Sequence, residues 1–433
     1  MTTDLRKPEF LRLIFTDILG HTRSIEVGMD RLDEVITHGL AIDGSSVPGY
    51  ASVNESDLLL LPESATPTLQ PWDPAAAFIM CGVHETTGKP HPRDPRNILR
   101  RVATKAAEMG LQLKVGSELE FFTLSRHTDG SVGPYDQGGY FCSQPADGSL
   151  DLRRDIIRTL NALHIPTTSH HHEVANGQNE IGLHYRTAVT AADDIMLART
   201  VISEVAYRQG LIATFMPKPF SDQNGSGMHL HQSIWGLDST RNLFTSEKIG
   251  NISQLATHYV GGLLKHATTL AAVVAPSVNS YKRLVPGFEA PTKVAWGYKN
   301  RSTMVRVPYF NGSAKAARVE LRCPDATSSP HLVIAVVLAA GLDGISQKIE
   351  PPTPTDEDLF EGKSDTESLP GSLELALTNL ENSKAMREIL GGTVVDKLVE
   401  LRRKEWRDYV KATGNPGISE ITSWEIDRYL HVN

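Results

Sequence analysis

The sequence predicts an α+β protein of two domains, a small N-terminal domain at residues 1–95 and a larger one at residues 96–433. The chain is long for one domain, and its 40% apolar and 22% charged residues can bury a sizeable core. The first ninety residues contain short strand-like runs broken by turn residues, whereas helix-like and strand-like segments alternate after Gly110. Between them, HETTGKPHPRDP is typical of a linker because it is rich in Pro, Gly and His.

The strands of the small domain are predicted from LRLIFTDILG, DGSSVPGY and AAAFIMCGV. A helix is then expected at the end of the linker, because Asp94 suits an N-cap and Pro95 suits the first helical turn. It continues through NILRRVATKAAEM and ends at Gly110.

The larger domain contains both kinds of element. Helices are predicted for DLRRDIIRTLNALHI, AADDIMLARTVISEVAYRQ and QLATHYVGGLLKHATTLAAVVA, and strands for KVGSELEFFTL, LIATFMP, SGMHLHQSIW and RVELRCP. The acidic, Pro-rich segment from Pro351 to Pro370 is expected to be an exposed loop. The tail from Leu373 onward is expected to be mainly helical.

Composition excludes several classes of function. With 43 Lys and Arg against 51 Asp and Glu, the net charge of −8 disfavours a nucleic-acid partner. The longest apolar run, from Leu332 to Leu342, is too short to cross a bilayer, and the N-terminus has no apolar stretch typical of a secretory signal. Three scattered cysteines form no CxxC pair, which argues against disulfides and thiolate metal sites. We therefore expect a cytoplasmic protein.

Three predicted strands carry ionisable residues two positions apart, with apolar residues between them. Side chains at i and i+2 of a strand share a face, so each strand should have one charged and one apolar face. Half-exposed strands with solvated charges are the alternative. The three sets are Glu118 with Glu120, His229 with His231, and Arg318 with Glu320 and Arg322.

Two further glutamates, Glu173 and Glu180, flank a turn predicted at Asn176-Gly177, which would bring the two sides together unless the segment is only a polar surface hairpin. The preceding histidines at 170–172 are disfavoured as a metal site, since neighbouring residues of a strand point to opposite faces. If the charged faces converge, five carboxylates and one imidazole meet, and they cannot all ionise without compensation. Oxygen-rich ligands without thiolate suit Mg²⁺ or Mn²⁺, two or more per site, and favour phosphate chemistry.

A basic set accompanies the carboxylates, and guanidinium groups bind carboxylate and phosphate through two hydrogen bonds. Arginines beside clustered carboxylates indicate an anionic substrate, although each could instead form a structural ion pair. Neither a Walker A motif nor GxGxxG is present, so a nucleotide would not be held in a P-loop or Rossmann turn. The set comprises Arg283, Arg301, Arg306, Arg318 and Arg322.

Ordered segments along almost the whole chain resemble the type I glutamine synthetases. They are FTDILG, DGSS, NESD, GSELEFF, GGYF, HHHEVANGQNEI, FMPKP, NGSGMHLHQS, VNSYKRLVPGFEAP, NRSTMVRVP and RVELRCPDA. The resemblance implies synthesis of glutamine from L-glutamate, ammonium and ATP through γ-glutamyl phosphate. It also implies a β-grasp-like N-terminal domain and a large catalytic domain with a curved antiparallel sheet flanked by helices. The expected assembly is a dodecamer of two hexameric rings with active sites between neighbouring subunits.

The resemblance also assigns roles to residues of this chain. The implied ligands of one metal ion are Glu120, Glu173 and Glu180, and those of the second are Glu118, His229 and Glu320. Asn224, Gly225, Arg283 and Arg322 surround glutamate; Tyr185, His231, Ser233, Lys315 and Arg318 lie near ATP; Arg301 and Arg306 bind phosphate. Asp43 of an adjacent subunit is the expected base for ammonium, with Ser46, Tyr140 and Glu173 nearby, and Glu289 covers the site.

Departures from the family bear on regulation. Phe360 stands where some bacterial members carry an adenylylated tyrosine, so that modification is expected to be absent. Ser52 stands where some members use an arginine for feedback inhibition. Three alternatives remain open here: a relative that ligates glutamate to an organic amine, a non-catalytic member, and a two-metal phosphoester hydrolase.

Overall fold

The computed structural model describes residues 7–238, 240–248, 250–310, 313–360, 364–414, 417 and 420–432. Within these residues helices and strands are combined in two separate sheets, as expected for the α+β class. The first sheet lies in the N-terminal part of the chain, and the second carries most of the charged residues singled out above.

The N-terminal sheet has the strand order β2-β1-β6-β4-β3, with β5 paired to β6. Strands β1 and β6 are parallel, and the other pairs are antiparallel. Alternate residues of β1, Leu11, Leu13 and Phe15, are buried in a core shared with Val35 of α1. The elements are β1 (Phe10–Thr16), β2 (Thr22–Gly28), α1 (Leu32–His38), β3 (Leu40–Asp43), β4 (Asp57–Pro62), β5 (Thr68–Gln70) and β6 (Asp73–Glu85).

Helix α2 (Pro95–Glu108) begins where the sequence predicts. The Asp94 side chain accepts a hydrogen bond from the backbone N–H of Arg96, and Pro95 occupies the first turn. Gly110 follows the helix with a φ of +76°, a left-handed conformation that glycine adopts without a Cβ penalty.

The remaining elements follow in chain order. They are β7 (Leu111–Arg126), β8 (Val132–Pro134), α3 (Leu150–Ala162), β9 (Thr167–His172), β10 (Gln178–Thr187), α4 (Ala188–Arg208), β11 (Ile212–Thr214), β12 (Met228–Gly236), α5 (Gln254–Lys265), α6 (Ala267–Val274), α7 (Ser280–Arg283), β13 (Trp296–Tyr298), β14 (Val305–Val307), β15 (Val319–Leu321), α8 (Pro330–Gln347), α9 (Leu373–Asn382), α10 (Lys384–Leu390), α11 (Gly392–Thr413) and α12 (Ser423–Tyr429).

The second sheet runs β13-β14-β15-β12-β7-β10-β9, with β8 and β11 also paired to β7. Its pairs are antiparallel except β13 with β14. The long strand β7 shows the predicted alternation, because Leu113, Val115 and Leu119 are buried in the core while Glu118 and Glu120 lie on the other face. One face of this sheet is therefore free to carry polar chemistry.

Helices α5 and α8 pack closely behind the sheet. A Cβ added to Gly262 would lie 2.1 Å from the carbonyl oxygen of Ala340, and one added to Gly341 would lie 1.9 Å from the ring of Tyr259. The Tyr259 hydroxyl donates a hydrogen bond of 2.7 Å to the side-chain oxygen of Gln232 on β12. These glycines let α8 approach the helix that supports β12.

Three segments differ from the sequence prediction. In DGSSVPGY, which was predicted to be strand-like, only Asp43 belongs to a strand, and Gly44–Ser46 form a short 3-10 helix. The single helix expected over QLATHYVGGLLKHATTLAAVVA is divided into α5 and α6 at His266, whose imidazole lies 2.8 Å from a carboxylate oxygen of Asp343. In the predicted exposed loop, the side chains of Leu359 and Leu369 are buried. The helical tail is confirmed by α9 to α12.

Among the described helices, only α8 is long and apolar enough to cross a membrane. Of its residues, 72% are buried inside the protein, where it packs against α2, α4, α5 and α6. Such burial is typical of a core helix, so it gives little support for a membrane span.

Candidate active site

A cavity of about 1050 Å³ lies over the polar face of the second sheet. Strands β7, β9, β10 and β12 contribute its floor, and the segments around Arg283, Glu289 and Arg301 contribute its walls. Phe360, from the segment before α9, also lines it. The strands converge here because each places its polar alternate positions on this face.

Strand register sets the acidic and imidazole side chains beside one another. Neighbouring side chains of paired strands lie within reach of each other on the shared face. The paired positions are Glu118 with His229, Glu120 with Glu180, Glu180 with His171, His231 with Glu320, and Glu320 with Arg306. Residues distant along the chain thus form one row across six strands.

The side-chain distances in this row are short. His229 Nδ1 lies 3.1 Å from a carboxylate oxygen of Glu118, and its Nε2 lies 3.4 Å from Glu120. His231 Nε2 lies 2.7 Å from the other oxygen of Glu118. His229 Nδ1 is also 3.8 Å from Glu320, so these groups share one small volume.

The carboxylates have opposite electrostatic environments at the two ends of the row. Burial and the charges of Glu120 and Glu180 raise the pKa of Glu173 to about 8. Burial and the charges of Glu118 and Glu120 likewise raise the pKa of Glu180 well above its usual value. At Glu173 and Glu180, the protein alone therefore lacks enough positive charge to keep both carboxylates ionised.

At the other end, Glu320 is fully buried between two arginines. Burial alone would raise its pKa, but the Arg322 guanidinium and the nearby histidines outweigh that effect and lower it to about 2. Arg306 Nη1 donates to one oxygen at 2.6 Å, and Arg322 Nη1 donates to the other at 2.5 Å. Two of the predicted anion-binding arginines are thus also structural ion-pair partners.

The donor set fits divalent cations. Three groups of side chains each bring three ligand atoms within 4.8 Å of one another, and all the donors are carboxylate oxygens or imidazole nitrogens. Such donors suit Mg²⁺ or Mn²⁺, and the raised pKa values of Glu173 and Glu180 indicate missing positive charge. The groups are Glu118–Glu180–His229, Glu118–His231–Glu320 and His171–Glu173–Glu180.

A second cavity of about 460 Å³ adjoins the first at Glu118. It is lined by polar and basic side chains together with one aromatic ring, a combination suited to a phosphorylated ligand with a planar base. The predicted ATP-binding residues among its lining are Tyr185, His231, Ser233, Lys315 and Arg318.

The segment around Glu289 meets the loop around Asn224 at the rim of the large cavity. Asn224 Nδ2 donates a hydrogen bond of 3.1 Å to Glu289 Oε2. Glu289 has a φ of +55°, an uncommon conformation for a residue with a Cβ. Gly225 is sterically required in the loop, because a Cβ there would lie 2.2 Å from the carbonyl oxygen of Pro217.

Arg283 lines the same cavity on the substrate side. Its guanidinium donates to the backbone carbonyl oxygens of Cys323, Pro324 and Arg322 at 3.0 to 3.2 Å. These contacts fix its orientation next to Gly225 and Arg322.

Family models agree with this geometry: a glutamine synthetase catalytic domain matches residues 92–429, and a glutamine synthetase β-grasp domain matches residues 7–86. The chain belongs to the glutamine synthetase family. It is 41% identical to the glutamine synthetase of Pyrococcus abyssi, covering 99% of this chain and 98% of that protein. It is 40% identical to that of Halobacterium salinarum, covering 98% and 93%.

Solved structures show the same likeness. A complex of GmaS with ADP superposes with a TM-score of 0.87 at 33% identity, covering 98% of this chain and 97% of GmaS. Ligand-free GmaS gives a TM-score of 0.86 at 34% identity and covers both chains fully. The predicted fold, a β-grasp domain followed by an α+β catalytic domain, is confirmed. As a glutamine synthetase family enzyme, the protein is expected to use ATP and divalent metal ions.

Two residues that the glutamine synthetase pattern assigns to the ammonium site do not line the cavity of their own chain. Asp43 ends β3 of the N-terminal sheet and is exposed, and Ser46 Oγ donates to it at 2.7 Å. Ser45 donates to the other oxygen through both its N–H and its hydroxyl. Within one chain, the structure does not bring Asp43 and Ser46 to Glu173.

His171 lies among the proposed metal ligands but was not singled out by the sequence patterns. Its Nε2 lies 3.0 Å from Glu180, and its Nδ1 lies 3.6 Å from Glu173. The neighbouring histidines do point elsewhere, since His170 contacts Arg153 and His172 contacts Asp136. The signal that could have identified His171 was its position two residues before Glu173, the same spacing used for the other strands.

Proposed function

We propose that this protein ligates ammonia to the γ-carboxylate of L-glutamate at the expense of ATP, through γ-glutamyl phosphate, giving L-glutamine, ADP and phosphate. The observation that carries the proposal is the row of carboxylates and imidazoles shared by two adjoining cavities, one lined by arginines. Relatives over nearly the whole length that are named glutamine synthetase support it.

Divalent ions fit the row of ligands. Two or more Mg²⁺ or Mn²⁺ ions would offset the negative charge of ATP and of the transferring phosphoryl group when bound. The side chains that would hold them are Glu120, Glu173 and Glu180 for one ion, and Glu118, His229 and Glu320 for another.

The basic and amide groups would orient the anionic substrates. In the proposal, Arg283 and Arg322 bind glutamate together with Asn224 and the backbone at Gly225. Arg301 and Arg306 bind the transferring phosphate, since guanidinium forks match its oxygens and stabilise developing charge. The nucleotide occupies the second cavity, next to Tyr185, His231, Ser233, Lys315 and Arg318.

The nucleophile requires a negative pocket, because ammonium is a cation without a lone pair. Tyr140 and Glu173 line one side of the cavity. In the proposal, Asp43 and Ser46 of a neighbouring copy complete it, and Asp43 accepts the proton that releases ammonia. Hydrogen bonds from Ser45 and Ser46 lower the pKa of Asp43, which keeps this carboxylate ionised and attractive to ammonium.

Closure of the rim would protect the acyl phosphate. Glu289 contacts Asn224 beside the proposed glutamate site, so this segment can cover the substrate and exclude water. We further propose that the protein is cytoplasmic and assembles as a dodecamer of two hexameric rings, with each active site shared between neighbours.

A second candidate is a glutamine synthetase-like ligase that uses an organic amine such as methylamine, ethanolamine or a polyamine. Similar solved structures carry the name GmaS, so a protein with the same fold and a third of the sequence in common has a different name. In addition, Phe141 is 63% exposed at the cavity and stacks on Tyr140, which offers apolar surface beside the proposed amine site.

Product identification distinguishes the two candidates. Purified protein is incubated with ATP, Mg²⁺ and glutamate, together with ammonium, methylamine, ethanolamine or a polyamine, and the γ-glutamyl product is identified by mass spectrometry. Glutamine as the main product supports the first proposal. Faster turnover with an organic amine would replace it with the second, and phosphate release independent of any amine would contradict both.

A further inference from the structure

The side chain of Asp136 accepts hydrogen bonds from two segments of the chain. It lies in the loop after β8, and only 8% of its side chain is exposed. One carboxylate oxygen faces His172 Nε2 at 2.7 Å and the backbone N–H groups of Gly177 at 3.1 Å and Gly138 at 3.3 Å. The other oxygen accepts from the N–H of Gly148 at 3.0 Å and from the Ser149 hydroxyl at 3.1 Å.

These partners belong to the two segments that border the proposed amine site. Gly138 and Gly148 lie on either side of Tyr140 in the loop between β8 and α3. On either side of Glu173 lie His172, the last residue of β9, and Gly177, in the turn that leads to β10. One carboxylate therefore joins the loop that carries Tyr140 to the turn that carries Glu173.

Close packing shows that this junction is built into the fold. A Cβ on Gly138 would lie 2.6 Å from His172 Nε2, so a side chain there would push the loop away from the histidine. A second link runs parallel to the first, because Asn176 Nδ2 donates to Gln137 Oε1 at 2.8 Å. The same turn is held from its other side by Gln223, whose side-chain oxygen accepts from the N–H of Asn176.

We propose that Asp136 is a positioning residue for the amine co-substrate, because its carboxylate sets the separation between the Tyr140 loop and the Glu173 turn. This inference rests on the proposed function, in which those two side chains form one side of the amine site. Asp136 does not line the cavity and would act only through its partners.

Replacement by asparagine tests the role because it keeps the size of the side chain. All five partners are donors, and the asparagine NH₂ group is also a donor. Whichever way the amide turns, at least one backbone N–H would face that NH₂ group, either that of Gly148 or those of Gly138 and Gly177, and the junction would loosen. Asp129→Asn is the matched control, since Asp129 accepts from the N–H and hydroxyl of Ser131 in the exposed turn between β7 and β8.

The first measurement is hydrogen–deuterium exchange of the full-length protein. In Asp136→Asn, we expect the peptides covering residues 136–149 and 173–178 to exchange about tenfold faster, as loss of one or two buried hydrogen bonds implies. Asp129→Asn should match the wild type in both segments. Ser149→Ala, which removes one of the five donors, should give a smaller increase in exchange in residues 136–149. It replaces Asp136→Asn in the test if that variant does not fold.

The second measurement is steady-state kinetics with ammonium chloride, glutamate and ATP. The KM for ammonium should rise about tenfold in Asp136→Asn, while the KM values for ATP and glutamate stay within about twofold. Unchanged exchange, or an equal rise of all three KM values, would overturn the positioning role. A wild-type protein that uses no amine would instead overturn the proposed function, and the exchange result would still decide whether Asp136 joins the two segments.

Discussion

Single side chains in the row of carboxylates serve both charge balance and proposed chemistry. Glu320 is fully buried and bonded to Arg306 and Arg322, so it holds two guanidinium groups while facing His229 and His231. A residue with this many charged partners cannot be replaced without changing the orientation of the others.

Glu320→Gln should reduce turnover to below about one hundredth of the wild type, because a proposed metal ligand is lost and Arg306 and Arg322 lose their counter-charge. The oligomer should remain assembled, since Glu320 is interior to one chain. Phosphate release and size-exclusion chromatography provide the measurements. Glu381→Gln, at the exposed partner of Arg403, is the control and should keep full activity. Near-normal turnover of Glu320→Gln at saturating Mg²⁺ would contradict the assignment.

The raised pKa of Glu173, about 8, predicts a pH dependence. The folded protein holds this proton more tightly than the unfolded chain, so without metal the free energy of unfolding should fall as pH rises from about 4.5 towards 8. Mg²⁺ must displace the proton, so its apparent affinity should rise from pH 6 to pH 8, by at most about tenfold per pH unit for each proton displaced.

Thermal shift with increasing MgCl₂ at the two pH values measures this effect. In Glu173→Gln the dependence of Mg²⁺ affinity on pH should be weaker, because one displaceable proton is gone. Equal Mg²⁺ affinity at both pH values in the wild type would show that these carboxylates are not proton-linked to the metal.

Four of the six proposed ligands, Glu118, Glu120, His229 and Glu320, could be predicted at this scale because a period of two places charged residues of a strand on a common face. The other two, Glu173 and Glu180, were predicted to meet through the turn at Asn176-Gly177. His171 obeys the same rule, but its two histidine neighbours obscured it. The register of β9 against β10, which sets His171 opposite Glu180, then shows its place in the row. Register depends on long-range pairing and is not readable from one strand.

At the scale of elements, the C-terminal helix α12 is joined to the substrate side of the cavity. Glu425 is fully buried, and its carboxylate accepts from Lys282 Nζ at 2.6 Å and from Asn279 Nδ2 at 2.8 Å. Asn279 also accepts from the N–H of Lys218 at 2.7 Å. Helix α12 thus supports both the short helix α7 that ends with Arg283 and the loop that leads to Asn224.

Glu425→Gln should lower the free energy of unfolding by about 3 kcal/mol, because Lys282 would keep a buried charge without its counter-ion. It should also raise the KM for glutamate more than that for ATP. Urea unfolding at fixed protein concentration gives the first quantity. Asp408→Asn, which breaks an exposed pair with Lys404, should cost less than about 1 kcal/mol. If Glu425→Gln also lowered the free energy of unfolding by less than about 1 kcal/mol, α12 would not support the glutamate side of the cavity as proposed.

Most elements were predictable because their signals are local. Asp94 and Pro95 mark the start of α2, and Gly110 follows its end. The break between α5 and α6 was not predictable, because no Pro or Gly stands at His266, where the helices divide and the imidazole meets Asp343 of α8. Likewise, the buried Leu359 and Leu369 depend on tertiary packing, which the acidic composition of their segment conceals.

At the scale of the molecule, the proposed active site is incomplete in one chain, because Asp43 and Ser46 stay outside the cavity. The proposed ammonium chemistry therefore requires several copies of the chain to assemble, as the family resemblance also implies. No local pattern in the sequence could have separated a site within one chain from a site between two chains.

Mixed oligomers test this prediction. Asp43→Ala and Glu320→Gln should each be nearly inactive alone. When they are co-expressed, random pairing leaves about a quarter of the shared sites with both original side chains, so activity should return towards about a quarter of the wild type. Co-purified mixtures without any recovery, despite mixed subunits shown by mass spectrometry, would place both residues in the same chain's site.

The glycines where α8 meets α5 have a consequence for the residues of the proposed ATP site. Gly341 leaves room for the ring of Tyr259, whose hydroxyl holds Gln232, and Gln232 lies between His231 and Ser233 on β12. The space that Gly341 leaves behind the sheet therefore influences how His231 and Ser233 are aligned in β12. A methyl group added at Gly341 would displace the ring of Tyr259 and, through Gln232, would shift the neighbouring His231, which lines the second cavity.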